Sequence, residues 1–152
     1  RIGYNLKSTD MQAALGFSQI DKIEDFVIKR QENFKYYIDI FKNFECFDLP
    51  VPTANSKPSW FGFPLTINEN ANFKRTDFLK HLEANNIGSR LMFGGNLKLQ
   101  PAFEKLNLRS AENLPTADKV VEDSFWIGLY PGITKQMMDF VAQITEEFVT
   151  NG

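Results

Sequence analysis

An α+β fold, with helices laid against a small and mainly antiparallel sheet, is predicted by three observations. Apolar residues recur at helical spacing in several separate segments, and short β-rich runs alternate irregularly with them. No G-x-G-x-x-G follows a strand, and no phosphate-loop motif is present. The 152 residues suit one domain, a size that buries roughly 70% of its unfolded surface.

The first helix is announced by its N-terminus. Thr9 and Gln12 stand in the S/T-x-x-E/Q relation of a capping box, in which each side chain satisfies a backbone N–H that the first turn leaves unpaired. Beyond Gly16, the residues Ile20, Ile23, Val27, Phe34 and Phe41 recur at helical steps, with Tyr37 and Ile38 in the same stripe. Lys22, Glu24, Asp25, Lys29, Arg30, Glu32 and Lys35 occupy much of the other face. The expectation is one long helix to about Asn43, bent near Gly16. Its stripe reads as core and not as a coiled-coil seam, because the heptad run is brief and puts Arg30 at an apolar position.

Phe44 to Leu49 reads as a short strand ended by Pro50 and Pro52, followed by a polar loop to Pro58. Trp60 to Ile67 is the second strand. Pro64 brings no N–H to a ladder, so this strand is expected at an edge or with a bulge. After the turn cluster Asn68 to Asn72, Phe78, Leu79 and Leu82 mark a helix from about Lys74 to Asn85, stopped by Asn86 and Gly88. Arg90 to Phe93 is a short strand entering Gly94-Gly95-Asn96, where paired glycines permit positive φ and close approach. Lys98 to Asn113 is irregular, with a helical turn around Pro101 to Lys105. Thr116 caps a helix to Asp123, Phe125 to Leu129 is a strand, and Tyr130-Pro131-Gly132 turns the chain. Thr134 caps the last helix, Ile133 and Met138 have the spacing of a hydrophobic staple, and Met137, Val141, Ile144 and Phe148 form its buried face.

Composition excludes more than it assigns. The chain is 43% hydrophobic and 24% charged with a net charge of -2, and it has no long basic run, so nucleic acid is not an expected partner. No apolar stretch reaches the ~18–20 residues that span a bilayer, and no basic-then-apolar leader opens the sequence; a cytoplasmic setting is expected. The single Cys46 excludes an internal disulfide and cannot alone hold zinc or an iron–sulfur cluster; it reads as a buried hydrophobe. The lone His81 has no nucleophile or metal partner nearby in sequence, and reads as structural or exposed. There is no H-E-x-x-H and no carboxylate cluster at metal spacing. From the residues alone, no reaction is disclosed. The most ligand-ready stretch is Asn5, Lys7 and Ser8, just before a helix N-terminus whose free N–H groups and dipole favour an anion, although an ordinary capped surface helix has the same pattern.

Four separated motifs carry a resemblance. They are G-Y-N-L-K-S-T-D-M-Q-A-A-L-G from Gly3, S-W-F-G-F-P from Ser59, G-S-R-L-M-F-G-G-N-L from Gly88 with Gln100-Pro101, and S-F-W-I-G-L-Y-P-G from Ser124. In this order they resemble the C-terminal part of the DegT/DnrJ/EryC1/StrS family, and within it the lipopolysaccharide-biosynthesis branch of CDP-4-keto-6-deoxyglucose 3-dehydratases. The resemblance runs from Gly3 to about Phe148 and covers only the last third or so of such an enzyme. It implies the small C-terminal domain of an aspartate-aminotransferase-like (fold type I) enzyme, with residues 1–44 as connecting loop and long helix and 45–152 as the α+β unit. Arg1 stands two residues before the first motif, so a truncated start is expected.

The resemblance further implies pyridoxamine or pyridoxal 5'-phosphate in the full-length enzyme, where the cofactor ring is the electron sink for expulsion of the 3-hydroxyl of a nucleotide-sugar. The base is a histidine at the position where the family's aminotransferases keep a Schiff-base lysine. That histidine, and cysteines holding a [2Fe–2S] cluster fed by an iron–sulfur flavin reductase, belong to sequence upstream of Arg1. The segment itself is therefore expected to be inactive and to hold no cofactor. By motif, Asn5 matches the asparagine that reaches the cofactor phosphate of the other subunit in a homodimer. Lys7 matches a position usually held by arginine, keeping the charge but losing the bidentate fork. Arg90 and Asn96 flank the loop matching the sugar-nucleotide pocket, with Arg90 toward the pyrophosphate, and Trp60, Phe93 and Trp126 are candidate linings. Two other readings stay open: a sugar-nucleotide aminotransferase of the same family, and a stand-alone binding or dimerisation module.

Overall fold

In the computed structural model, which describes residues 7–107, 109 and 113–151, the capping box forms as its residues dictate. Thr9 Oγ1 accepts from the Gln12 amide at 3.3 Å, and Gln12 Oε1 accepts from the Thr9 amide at 2.9 Å, opening α1 (Asp10–Ile20). The helix does not continue unbroken. Lys22 N–H turns back to the Gln19 carbonyl at 3.0 Å, and α2 (Ile23–Phe41) starts afresh. The bend expected near Gly16 thus falls at Asp21–Lys22. A local cause is Ser18 Oγ, which donates to the Leu15 carbonyl at 2.7 Å; such back-bonding weakens and bends a helix.

Four strands form one sheet in the order β1-β2-β4-β3, with every pairing antiparallel: β1 (Phe47–Asp48), β2 (Gly62–Ile67), β3 (Ser89–Leu91) and β4 (Ser124–Gly128). The strand expected from Phe44 shrinks to two residues, because Phe44 still belongs to the turn that ends α2, its N–H reaching the Phe41 carbonyl at 3.0 Å. β2 lies between β1 and β4 and is not the edge expected from Pro64. Proline is tolerated there because β1 pairs only with Thr66 and Ile67, so β2 has no neighbour on that side at Pro64. β3 ends at Leu91, and Phe93 stands beyond it with φ +47, a left-handed backbone uncommon for a bulky residue.

The remaining helices are α3 (Arg75–Ala84), α4 (Pro115–Asp123) and α5 (Lys135–Asn151), with a 3-10 turn at Leu97–Leu99. α4 starts with proline in its first turn and no side-chain cap, so Thr116 is inside the helix and not its cap. At α5 the Met137 amide does reach Thr134 Oγ1, at 3.3 Å. Met138 is buried instead of the expected Met137, which is exposed.

Period-2 alternation sends Phe63, Leu65 and Ile67 of β2 inward with Phe125 and Ile127 of β4. Against them pack Phe34, Tyr37 and Phe41 of α2, Phe78 and Leu82 of α3, and Val141 and Ile144 of α5. The ring pairs Tyr37–Phe63 at 5.0 Å and Phe78–Phe125 at 5.6 Å tie helices to sheet. Cys46 is buried, and its burial pushes the thiol pKa up. His81 Nε2 lies 3.2 Å from the Ile144 carbonyl and its ring packs on Phe148, a structural place between α3 and α5. Ile20 and Ile23, expected in the core stripe, are instead 55% and 53% exposed. The sheet reaches only the second half of α2, and no described residue covers α1.

Candidate functional site

α2, α3 and α5 pack on one face of the sheet, and Arg90 and Trp126 stand on the other. Direct cross-strand partners share a face. Arg90 stands opposite Trp126, Pro64 opposite Trp126 and Gly62 opposite Gly128, which places these side chains away from the Phe63–Phe125 core. The absence of a side chain at Gly62 is what lets Trp126 lie down: a Cβ there would meet Trp126 Cε3 at 2.4 Å. Phe61, just before β2, packs its ring 5.0 Å from that of Trp126 and 6.5 Å from Phe93. A cavity of about 180 Å³ lies among Trp60, Phe61, Gly62, Pro64, Met92, Phe93 and Trp126. Phe61 and Phe93 are 65% and 79% exposed, so two large aromatic faces are offered to whatever lies outside. The buried Trp126 Nε1–H has no hydrogen-bond partner among the described residues, a costly state for a donor.

The loop after β3 is held by its own polar residues. Asn96 is 6% exposed; its Oδ1 accepts from the Lys98 amide at 3.0 Å, and its Nδ2 donates to Asp118 Oδ1 of α4 at 2.7 Å. Its amide is therefore committed to the fold. Gly95 has φ +56, and a Cβ there would meet Val121 Cγ2 of α4 at 2.5 Å, so this glycine is required both for its backbone and for its closeness to α4. Gln100 Nε2 donates to the Gly94 carbonyl at 2.9 Å and closes the loop. Arg90 is exposed, and its guanidinium donates to the Ser89 carbonyl at 2.8 Å, leaving donors for an anion.

The structure thus brings Arg90, Phe93 and Trp126 to one face. Trp60 is drawn the other way, its ring stacked on Phe34 of α2 at 3.9 Å and 3°. Asn5 lies outside the described residues. Lys7 is exposed, two residues before the capping box. The Thr9 hydroxyl and the Gln12 side chain already serve the helix start. Among the described residues of this stretch, Lys7 contributes one exposed charge. Among the described residues no group of His, Cys, Asp and Glu stands together as a metal site, and no helix is long and apolar enough to cross a membrane. Phe61 carries no sequence signal of its own for this place. The S-W-F-G-F-P motif contains it, but nothing in the spacing separates it from Trp60.

Comparison with known proteins places these features in a family. The chain is 47% identical to the dTDP-4-dehydro-2,6-dideoxy-D-glucose 3-dehydratase of Saccharopolyspora spinosa over 148 residues, which are 97% of this chain and 32% of that protein. It is 43% identical to the lipopolysaccharide biosynthesis protein RfbH of Salmonella typhimurium, again over 97% of this chain and 34% of the relative. The chain therefore spans about a third of the length of the curated relatives it matches. Among solved structures, the GDP-4-keto-6-deoxy-D-mannose-3-dehydratase of E. coli with bound hydrated PLP superposes with a TM-score of 0.85 at 25% identity, over 95% of this chain and 37% of that one. The fold is that of a segment of an aspartate-aminotransferase-like enzyme. With a family match over residues 1–146 and these relatives beside it, the chain belongs to the DegT/DnrJ/EryC1/StrS aminotransferase family.

Proposed function

We propose that this segment is the small-domain part of a pyridoxamine-phosphate-dependent nucleotide-sugar 3-dehydratase, which removes the C-3 hydroxyl of a CDP-4-keto-6-deoxyhexose on the way to a 3,6-dideoxysugar of O-antigen. The observation that carries this is a contrast in similarity. Identity is 47% to the dTDP-sugar 3-dehydratase and 43% to RfbH, against 28% to the E. coli GDP-4-keto-6-deoxy-D-mannose 3-dehydratase and 25% to the E. coli dTDP-4-amino-4,6-dideoxy-D-glucose transaminase, which supports this branch, while the CDP nucleotide rests on the motif resemblance.

In this reading the segment binds and orients. Lys7 adds a charge, and Asn5 a neutral donor, to the cofactor phosphate across a homodimer interface. When bound, the cofactor supplies an electron sink, and the acid–base group that works with it stands outside this sequence, as do any [2Fe–2S] ligands through which a flavin reductase would supply electrons. Arg90 meets the diphosphate of the nucleotide-sugar, and Phe93 with Phe61 and Trp126 offers apolar faces to its sugar or base. Asn96 acts at one remove, holding the Gly94–Asn96 loop through Asp118 and Lys98. A cytoplasmic setting suits such a substrate.

The test uses the full-length protein loaded with pyridoxamine phosphate and offered CDP-, dTDP- and GDP-linked 4-keto-6-deoxyhexoses, with products read by mass spectrometry. Loss of the 3-hydroxyl from the CDP sugar is expected. Turnover of the dTDP sugar alone would change the nucleotide, a 4-amino sugar would move the assignment to aminotransferase, and binding without any conversion would leave a binding module.

A further inference from the structure

A set of polar side chains on α2 has no place in the reading so far. Arg30 is half-buried, and no described carboxylate pairs with it. Its Nη1 donates instead to two main-chain carbonyls, those of Trp60 and Leu129, the latter at 3.1 Å. Gln31 Nε2 donates to the Pro58 carbonyl at 3.2 Å, and Asn33 Nδ2 to the Tyr130 carbonyl at 3.0 Å. The accepting carbonyls lie at one place: just past the Gly62–Gly128 pair, where the β2–β4 ladder stops. Where strand-to-strand bonds end, α2 takes over the two chain ends.

Those chain ends carry the aromatic motifs. Trp60 is fixed twice by α2, through its carbonyl by Arg30 and through its ring by Phe34, one turn further along the helix. The next residue, Phe61, is thereby turned to the outer face against Trp126. A guanidinium suits the task, because it stays charged, is weakly hydrated and presents several donors in a fixed plane. A half-buried cation whose described partners are neutral carbonyls carries a desolvation cost.

We propose that Arg30, with Gln31 and Asn33, is a positioning latch that sets the outer aromatic face of Phe61 and Trp126 for nucleotide-sugar binding. The identity of that ligand rests on the function proposed above. The expected signature in the full-length protein is a split between binding and turnover. Arg30→Gln raises KM for the nucleotide-sugar about tenfold, with kcat and cofactor content within about twofold. Arg30→Lys, which keeps a charge and enough donors for both carbonyls, recovers most of the loss. Tyr36→Phe is the control: it cuts another α2 tether, the 2.6 Å bond from the Tyr36 hydroxyl to Asp139 of α5, and lowers Tm without moving KM. An unchanged KM in Arg30→Gln, or an equal rise in Tyr36→Phe, overturns the latch. Should Arg30→Gln not fold, Asn33→Ala carries the same test with a smaller rise. A fluorine-labelled phenylalanine at position 61 separates this inference from the substrate assignment. If the wild-type protein binds none of the nucleotide-sugars, the latch still requires one sharp resonance in wild type and Tyr36→Phe, and a broadened or doubled one in Arg30→Gln. An unperturbed resonance in Arg30→Gln overturns it whatever the ligand.

Discussion

At the position of Gly62 a single missing carbon governs how Trp126 packs. Gly62→Ala places a Cβ 2.4 Å from the Trp126 ring, and the rigid indole must shift. The expected cost is about 1–3 kcal/mol, as for other overpacked sites, read as a lower urea midpoint together with a changed Trp126 emission. Tyr37 predicts a pH dependence. Burial, and then the charge of Tyr130, raise its phenol above the ordinary value of 10.0. A raised acid pKa favours the folded state while the group is protonated. This contribution is therefore complete below about pH 10 and is lost as pH rises further. The urea midpoint of wild type is expected to fall more steeply above pH 10 than that of Tyr37→Phe.

Among the elements, α1 and α2 differ in what holds them. α2 is fastened by Phe34, Tyr37 and Phe41 in the core and by its polar tethers to the strand ends. α1 has no buried residue, and its capping box is its clearest stabilising device. Thr9→Ala removes about 1 kcal/mol of capping, but only from a helix that the core barely feels. Faster amide exchange confined to residues 10–20 is therefore expected, with the global urea midpoint unchanged. An equal loss in the global midpoint would mean that α1 folds as one unit with the sheet.

For the whole molecule, the exposed apolar surface is the dominant property. Met11, Leu15, Phe17, Ile20 and Ile23 lie uncovered along α1 and the start of α2. Surfaces of this kind mark contacts with other protein. The segment alone is expected to self-associate in sedimentation, and Phe17→Lys with Ile20→Lys to return it toward monomer. A monomeric wild-type segment at high concentration would contradict this. The same segment should bind pyridoxamine phosphate negligibly, because in the function proposed above most of that site lies outside it; tight stoichiometric binding in calorimetry would overturn that expectation.

What was legible beforehand follows from how local each signal is. The Thr9–Gln12 box, the α+β alternation and the helix of Phe78 and Leu82 depend on neighbours within a few residues, and they form as read. The four motifs carried the family for the same reason, since each is contiguous. The break at Asp21–Lys22, the inner position of β2 and the exposure of Ile20 and Ile23 were not legible. Periodicity reports which face of a helix is apolar and says nothing of how far the sheet beneath it extends. Only the tertiary structure could show that Asn96 spends its amide on α4, that Trp60 turns inward while Phe61 and Trp126 meet outside, or that Arg30 spans 30 and 99 residues of sequence to grip two carbonyls. Hydrogen bonds and packing across such separations arise from chain crossings, which no local pattern encodes.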